Sequence, residues 1–188
     1  ITDQHRICID NIVLEKTSAP EIDVPVGKNL ITNSEFEMSE DGSLAGWENA
    51  VNAPGDATFE AGDGKITYSV ENVGEADWNI QLKQMGLSLE QGESYTLKCT
   101  LVSDVDRVVK VAVMTPSAGY AWHGGEDVVL TAGEAKDVTL TITPKEEVFT
   151  DGITVDTGAG LFFSMGYVEG YTLGAHTVSI SNVSFVKN

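Results

Sequence analysis

His176-Thr-Val-Ser-Ile-Ser-Asn-Val-Ser-Phe-Val-Lys187 alternates apolar and polar residues, but not in one frame throughout. Val178 and Ile180 share one parity, Val183 and Phe185 share the other, and the frame changes at the Ser181-Asn182 pair. Alternation marks a strand with one buried face, and a change of frame inside it is what a β-bulge produces. The stretch reads as one long, bent strand.

The same period runs back through the chain. Lys65–Val70 puts Ile66, Tyr68 and Val70 on one face, and Ser94–Leu101 does so with Tyr95, Leu97, Cys99 and Leu101. Val108–Val113, Val138–Ile142 and Leu161–Met165 follow, separated by clusters of Gly, Asp, Asn and Ser. At least eight such runs, with almost no helical periodicity, predict an all-β protein, an antiparallel β-sandwich of the jelly-roll kind. Tyr68 and Tyr95 share parity with apolar neighbours and read as core.

The closing strand also has a partner in the sequence. His5-Arg-Ile-Cys-Ile-Asp-Asn-Ile-Val-Leu-Glu-Lys16 aligns with it without gaps, and His, Ile, Asn and Lys are identical at four positions. The change of frame falls at the same place, at Asp10-Asn11. The expectation is a slice of a modular protein: residues 1–16 as the closing strand of a preceding similar module, 17–27 as a linker with Pro20 and Pro25, and 28–188 as one complete module. The first strand, without its own sandwich, is expected to add to a sheet edge.

Composition narrows the partners. Eleven Lys and Arg against 29 Asp and Glu give a net charge of −18 over 188 residues. Such a surface repels phosphate backbones and anionic lipid, so no nucleic acid and no membrane partner is expected. An uncharged polysaccharide meets no such penalty. The two cysteines, Cys8 and Cys99, fall in different segments and are expected as free thiols.

Three motifs carry a resemblance. Asn29-Leu-Ile-Thr-Asn-Ser-Glu-Phe-Glu37 with Gly46-Trp47 is similar to the opening of carbohydrate-binding modules of families 4 and 9, which are related to families 16 and 22. Asp77-Trp-Asn-Ile-Gln-Leu82 followed by Leu89-Glu-Gln-Gly-Glu-Ser-Tyr95 resembles their second signature, and Leu161-Phe-Phe-Ser-Met-Gly166 with Ile180-Ser-Asn-Val183 their third. The resemblance spans residues 28 to 188. It implies a non-catalytic module, secreted or at a bacterial cell surface, tethered to a glycoside hydrolase and sister modules. Its partner would be a β-glucan, xylan or mannan chain held in a concave cleft.

A sugar ring offers an apolar C–H face and a rim of hydroxyls, so its site needs flat aromatics beside amides. Trp78 and Gln81 stand where the family places a ring platform and a hydrogen-bonding amide. Trp78 also shares parity with Ile80 and Leu82, and a regular strand would turn it into the core. Tyr120 and Trp122 lie in Ser117-Ala-Gly-Tyr-Ala-Trp-His-Gly-Gly125, which reads as a glycine-rich loop. Either both rings meet the ligand or one folds back to cap the sandwich. Trp47 is a further candidate contact, with sealing one end of the sandwich as its other reading. His123 reads as a polar neighbour. Lys110, Ala112 and Met114, opposite the valines of 109–113, fall on the far face, and Phe162 and Ser164 are expected to line the concave sheet.

The resemblance implies no required cofactor, although relatives often hold a structural calcium between opening and closing strands. Glu37 and Glu35 match the opening segment. The closing segment has Ser181 where the first copy has Asp10, which removes a carboxylate. No paired-carboxylate, Ser-His-Asp or HExxH motif is recognisable, so the chain is not expected to be an enzyme. The competing class is a spacer sandwich that binds nothing.

Overall fold

The computed structural model describes residues 24–150 and 152–188. Ten strands follow one another: β1 (Glu48–Val51), β2 (Asp56–Gly62), β3 (Lys65–Asn72), β4 (Ile80–Glu90), β5 (Tyr95–Ser103), β6 (Arg107–Thr115), β7 (Ala121–Leu130), β8 (Lys136–Ile142), β9 (Val155–Ser164) and β10 (His176–Lys187). They form two antiparallel five-stranded sheets, ordered β1-β4-β9-β6-β7 and β2-β3-β10-β5-β8. The fold is the expected all-β sandwich.

The core lies between the sheets and follows the alternation. Ile66, Tyr68, Leu97, Leu101, Ile180 and Phe185 enter it from one sheet, and Leu82, Val109, Val111, Val113, Leu161 and Phe163 from the other. The change of frame in β10 is a bulge: the register with β5 shifts between Ser181 and Ser184, and Asn182 adopts a φ of 54°. Val178 and Ile180 before it and Val183 and Phe185 after it are all buried. β4 does the same at Gly86, where φ is 82° and the register with β9 shifts between Met85 and Leu87. Ile80 and Leu82 before the shift, and Leu87 and Leu89 after it, therefore all face the core.

The opening motif serves as a belt across both sheets. The Asn29 carboxamide accepts from the Ile31 and Phe185 backbone N–H groups and donates to the Val183 carbonyl. Buried Gln84 bonds both the N–H and the carbonyl of Thr32, at 2.7 and 2.8 Å. Val24, within the stretch expected as linker, is buried and donates its N–H to Glu90. The first copy of the repeat, the rest of that stretch and Cys8 lie outside the described residues. Cys99 faces the core from β5, and burial pushes its thiol up to about 12.

Candidate functional site

The outer face of the β1-β4-β9-β6-β7 sheet carries side chains in three rows, set by register. Gln81, Ser164 and Lys110 stand side by side on β4, β9 and β6; Lys83, Phe162 and Ala112 form the next row; Met85, Gly160 and Met114 the third, continued by Trp122 on β7. These rows floor a groove of about 680 Å³. One bank is polar, the floor is half apolar, and the other bank is apolar. Rows one and three are four residues apart along β4, about 13 Å at the usual rise per residue.

Trp78 rises beside the polar row. Asp77–Asn79 is a single 3₁₀ turn rather than the start of β4, and this takes Trp78 out of the parity it would share with Ile80 and Leu82. The turn is held from below by Asn79, which is buried. The Asn79 carboxamide oxygen accepts from Glu75 and Ala76 N–H at 2.9 and 2.8 Å, and its NH₂ donates to the Asn52 carbonyl at 3.1 Å. The indole is left 54% exposed. The neighbouring Asp77 carboxylate pairs with Lys110, and that hydrogen bond raises the ammonium's pKa above its ordinary value. The pair leaves little net charge on the polar bank of a strongly acidic molecule.

Tyr120 and Trp122 rise on the opposite bank. A second 3₁₀ turn, Pro116–Ala118, ends at Gly119 with φ 65°, and Tyr120 follows at φ 62°. The expected loop is shorter than the sequence suggests, because Ala121–Leu130 pairs with β6 as an edge strand. Gly124 and Gly125 belong to that strand. A Cβ at Gly125 would lie 2.6 Å from the Trp122 ring, so its absence lets the indole lie across the strand. The β6–β7 register shifts between Val113 and Met114, and His123 is the extra residue on β7. The bulge turns Trp122 outward and His123 inward.

His123 is accordingly buried. Its Nδ1 accepts the Lys145 N–H at 3.0 Å, and its Nε2 lies 2.8 Å from the Thr115 hydroxyl, which donates to Asp156. Burial lowers the imidazole's pKa.

The structure thus gathers Trp78, Gln81, Tyr120 and Trp122 at one groove, with Phe162, Ser164, Lys110 and Met114. Trp47 is a correction. It is 8% exposed, its ring packs on Phe36 and Phe163 at centroid distances of 5.2 and 6.3 Å, and its N–H donates to the Asn33 carbonyl. It belongs to the core and does not line the groove. Lys83 and Met85 are additions, and the parity they share with Gln81 could have given both. Gly160 leaves room for the Met85 thioether, whose sulfur would lie 2.5 Å from an added Cβ.

The calcium candidates do not make a convergent carboxylate site. Glu35 and Glu37 are exposed; Glu37 exchanges backbone bonds with the Asn33 carboxamide, and Glu35 accepts at its carbonyl from Gly64. Ser181 is half-buried on β10 between Lys65 and Thr100. Among the described residues no three His, Cys, Asp or Glu side chains gather to hold a metal.

The described residues thus form a two-layer β-sandwich with aromatic rings on both banks of an outer-face groove. A family model described as a carbohydrate binding domain, of the family 4 and 9 type, matches residues 28–157, and the chain belongs to that family. Solved structures share the fold. One family 4 module is 19% identical, with a TM-score of 0.66 over 84% of this chain and 99% of its own. The N-terminal cellulose-binding domain of Cellulomonas fimi β-1,4-glucanase C is 20% identical, at 0.59 over 86% and 98%. The CBM22-1 xylan-binding domain of Paenibacillus barcinonensis Xyn10C is 9% identical, at 0.53 over 88% and 97%. No curated protein sequence matches. Among the described residues, no helix is long and apolar enough to cross a membrane.

Proposed function

We propose that this domain binds a single polysaccharide chain in the groove across β4, β9, β6 and β7, and that it does so without catalysing any reaction on it. The observation that carries this reading is the convergence of Trp78, Tyr120 and Trp122, all more than 40% exposed, on one groove that also holds the Gln81–Ser164 pair. Exposed aromatics are costly to leave in water unless a ligand covers them. Rings on facing banks would pack on the C–H faces of sugars, while the amide, hydroxyl and ammonium groups of the first row would exchange hydrogen bonds with the hydroxyls.

The near-neutral polar bank favours an uncharged chain of the β-glucan, xylan or mannan kind. Cellulose- and xylan-binding neighbours with the same fold support the first two. A cleft with two banks suits one chain rather than a flat crystalline surface, which would need a coplanar row of rings. In this reading the domain is an exported bacterial module that brings an attached glycoside hydrolase to its substrate.

Affinity electrophoresis through gels containing barley β-glucan, xylan or glucomannan tests the reading. Retardation in at least one gel, lost in Trp78→Ala, is the expected result. Free migration of the parent in all three would leave the spacer reading in its place.

A further inference from the structure

Arg107, at the start of β6, is the largest fully buried side chain among the described residues, with no exposed surface. Buried guanidinium groups are rare unless a carboxylate pairs with them. Among the described residues none does so for Arg107. Its hydrogen bonds go to neutral groups instead. Nε donates to the Val108 carbonyl at 3.2 Å, one terminal nitrogen to His176 Nε2, and the other to the carbonyls of Met165 and Gly166. The His176 Nδ1–H donates to the Gly174 carbonyl at 2.7 Å, which leaves Nε2 as the acceptor that a guanidinium requires.

The two carbonyls that Arg107 holds belong to the segment under the Trp78 turn. Met165 N–H donates to the Ile80 carbonyl and Gly166 N–H to the Asp77 carbonyl, both at 2.8 Å, and Tyr167 N–H to the Ala76 carbonyl at 3.1 Å. The contact at Gly166 is so close that an added Cβ would collide with the Ala76 carbonyl oxygen. A continuous set of bonds therefore runs from the guanidinium through residues 165–167 to residues 76–80, with Trp78 at its outer end. Reaching the Val108 carbonyl, His176 and the Met165 and Gly166 carbonyls at once takes three nitrogens held in one plane, which a Lys ammonium does not have.

We propose that Arg107 is a positioning residue for Trp78: through the carbonyls of Met165 and Gly166 it sets the height and tilt of the turn that carries the indole over the groove. The inference rests on the glycan reading of the groove for its effect on binding, and on geometry alone for its effect on the ring.

Two readouts keep these apart. In ¹H–¹⁵N spectra, Arg107→Lys is expected to move or broaden the Trp78 indole N–H resonance while leaving that of Trp122 in place. Gly166→Ala, which leaves the guanidinium intact and displaces the same turn, gives the same signature. In calorimetric titrations with a β-1,4-linked gluco- or xylohexasaccharide, Arg107→Lys weakens binding at least tenfold. In a Trp78→Ala background it weakens binding less than twofold further, as a purely structural role would not. An unmoved Trp78 resonance in Arg107→Lys overturns the proposal, as do losses that multiply independently in the double variant. If the parent binds neither sugar, the glycan reading fails and the resonance alone decides on Arg107. If Arg107→Lys does not fold, His176→Gln, which alters the neutral partner and keeps the guanidinium, must shift the Trp78 resonance for the proposal to stand.

Discussion

The Gln81 carboxamide donates to the Ser164 hydroxyl at 2.8 Å, directly across the β4–β9 pairing. Gln81 is half-exposed and Ser164 buried, so the bond orients an amide at the groove surface from a fixed point beneath it. The amide oxygen and the hydroxyl proton remain for a ligand. A neutral hydrogen bond is worth about 0.5–1.5 kcal/mol net, which is about twofold to tenfold in affinity. Gln81→Ala and Ser164→Ala are each expected to weaken glycan binding within that range. Because the two act as one unit, the double variant should lose less than the product of the single losses. Isothermal titration of the four proteins measures this; full multiplicativity contradicts a coupled pair.

Trp78 and Trp122 are 54% and 41% exposed, and neither belongs to the core. Replacing either with Ala should reduce affinity at least tenfold and shift the melting temperature by no more than a few degrees, because exposed positions contribute little to stability. A large fall in melting temperature for either variant would place that ring among the supports of the fold.

Trp47 should behave in the opposite way. Trp47→Ala removes a buried ring from between Phe36 and Phe163, and large-to-small changes of this kind cost about 3–5 kcal/mol. Urea unfolding should show that loss, with affinity unchanged at temperatures where the variant is folded. A stable Trp47→Ala that no longer binds sugar would return Trp47 to the site.

The expected fold is legible in period-two patterning because most strands have one buried face, and β10 betrays its bend by a change of frame. Trp78 was harder. Its parity points inward, and only the 3₁₀ turn held by Asn79 turns it out; a turn of three residues leaves no periodicity to read. Trp122 is exposed as its sequence context suggests, but it stands on β7 rather than on a loop. Glycines in an edge strand look the same as glycines in a loop until the strand they pair with is known. Trp47 misled because a Trp after a Gly near a chain turn carries no sign of its burial, which depends on Phe163, more than a hundred residues away in sequence. The row order of the groove was legible only in halves, since alternation gives the face of each strand and pairing alone gives the neighbours.

His123 and His176 give the molecule a pH dependence. Burial lowers both below the ordinary 6.5; nearby Arg107 adds to this at His176, where the Gly174 carbonyl and Asp104 oppose it, and Asp156 opposes it at His123. The unfolded chain therefore binds protons that the folded chain refuses. Stability is complete above 6.5 and falls as pH drops through 6.5 toward the folded values. Asp104 and Glu90, held low chiefly by hydrogen bonds from Thr177 and Lys187, add their losses only in more acidic solution, below about 4.5. The melting temperature should thus begin to fall between pH 7 and 5.5, and His176→Gln should flatten that first part of the curve. An equal slope in His176→Gln would assign the early loss to other groups.

The two banks of the groove differ: Gln81, Ser164 and Lys110 on one side, Met85, Met114 and Trp122 on the other. Rotate a chain end for end in the plane of the sheet and every hydroxyl that met an amide now meets a thioether. The surface is therefore not indifferent to which way its occupant points. If the groove holds a glycan chain as proposed, its three unlike rows make it a compass as well as a clasp, and whatever is joined to this domain would inherit a heading along the polymer.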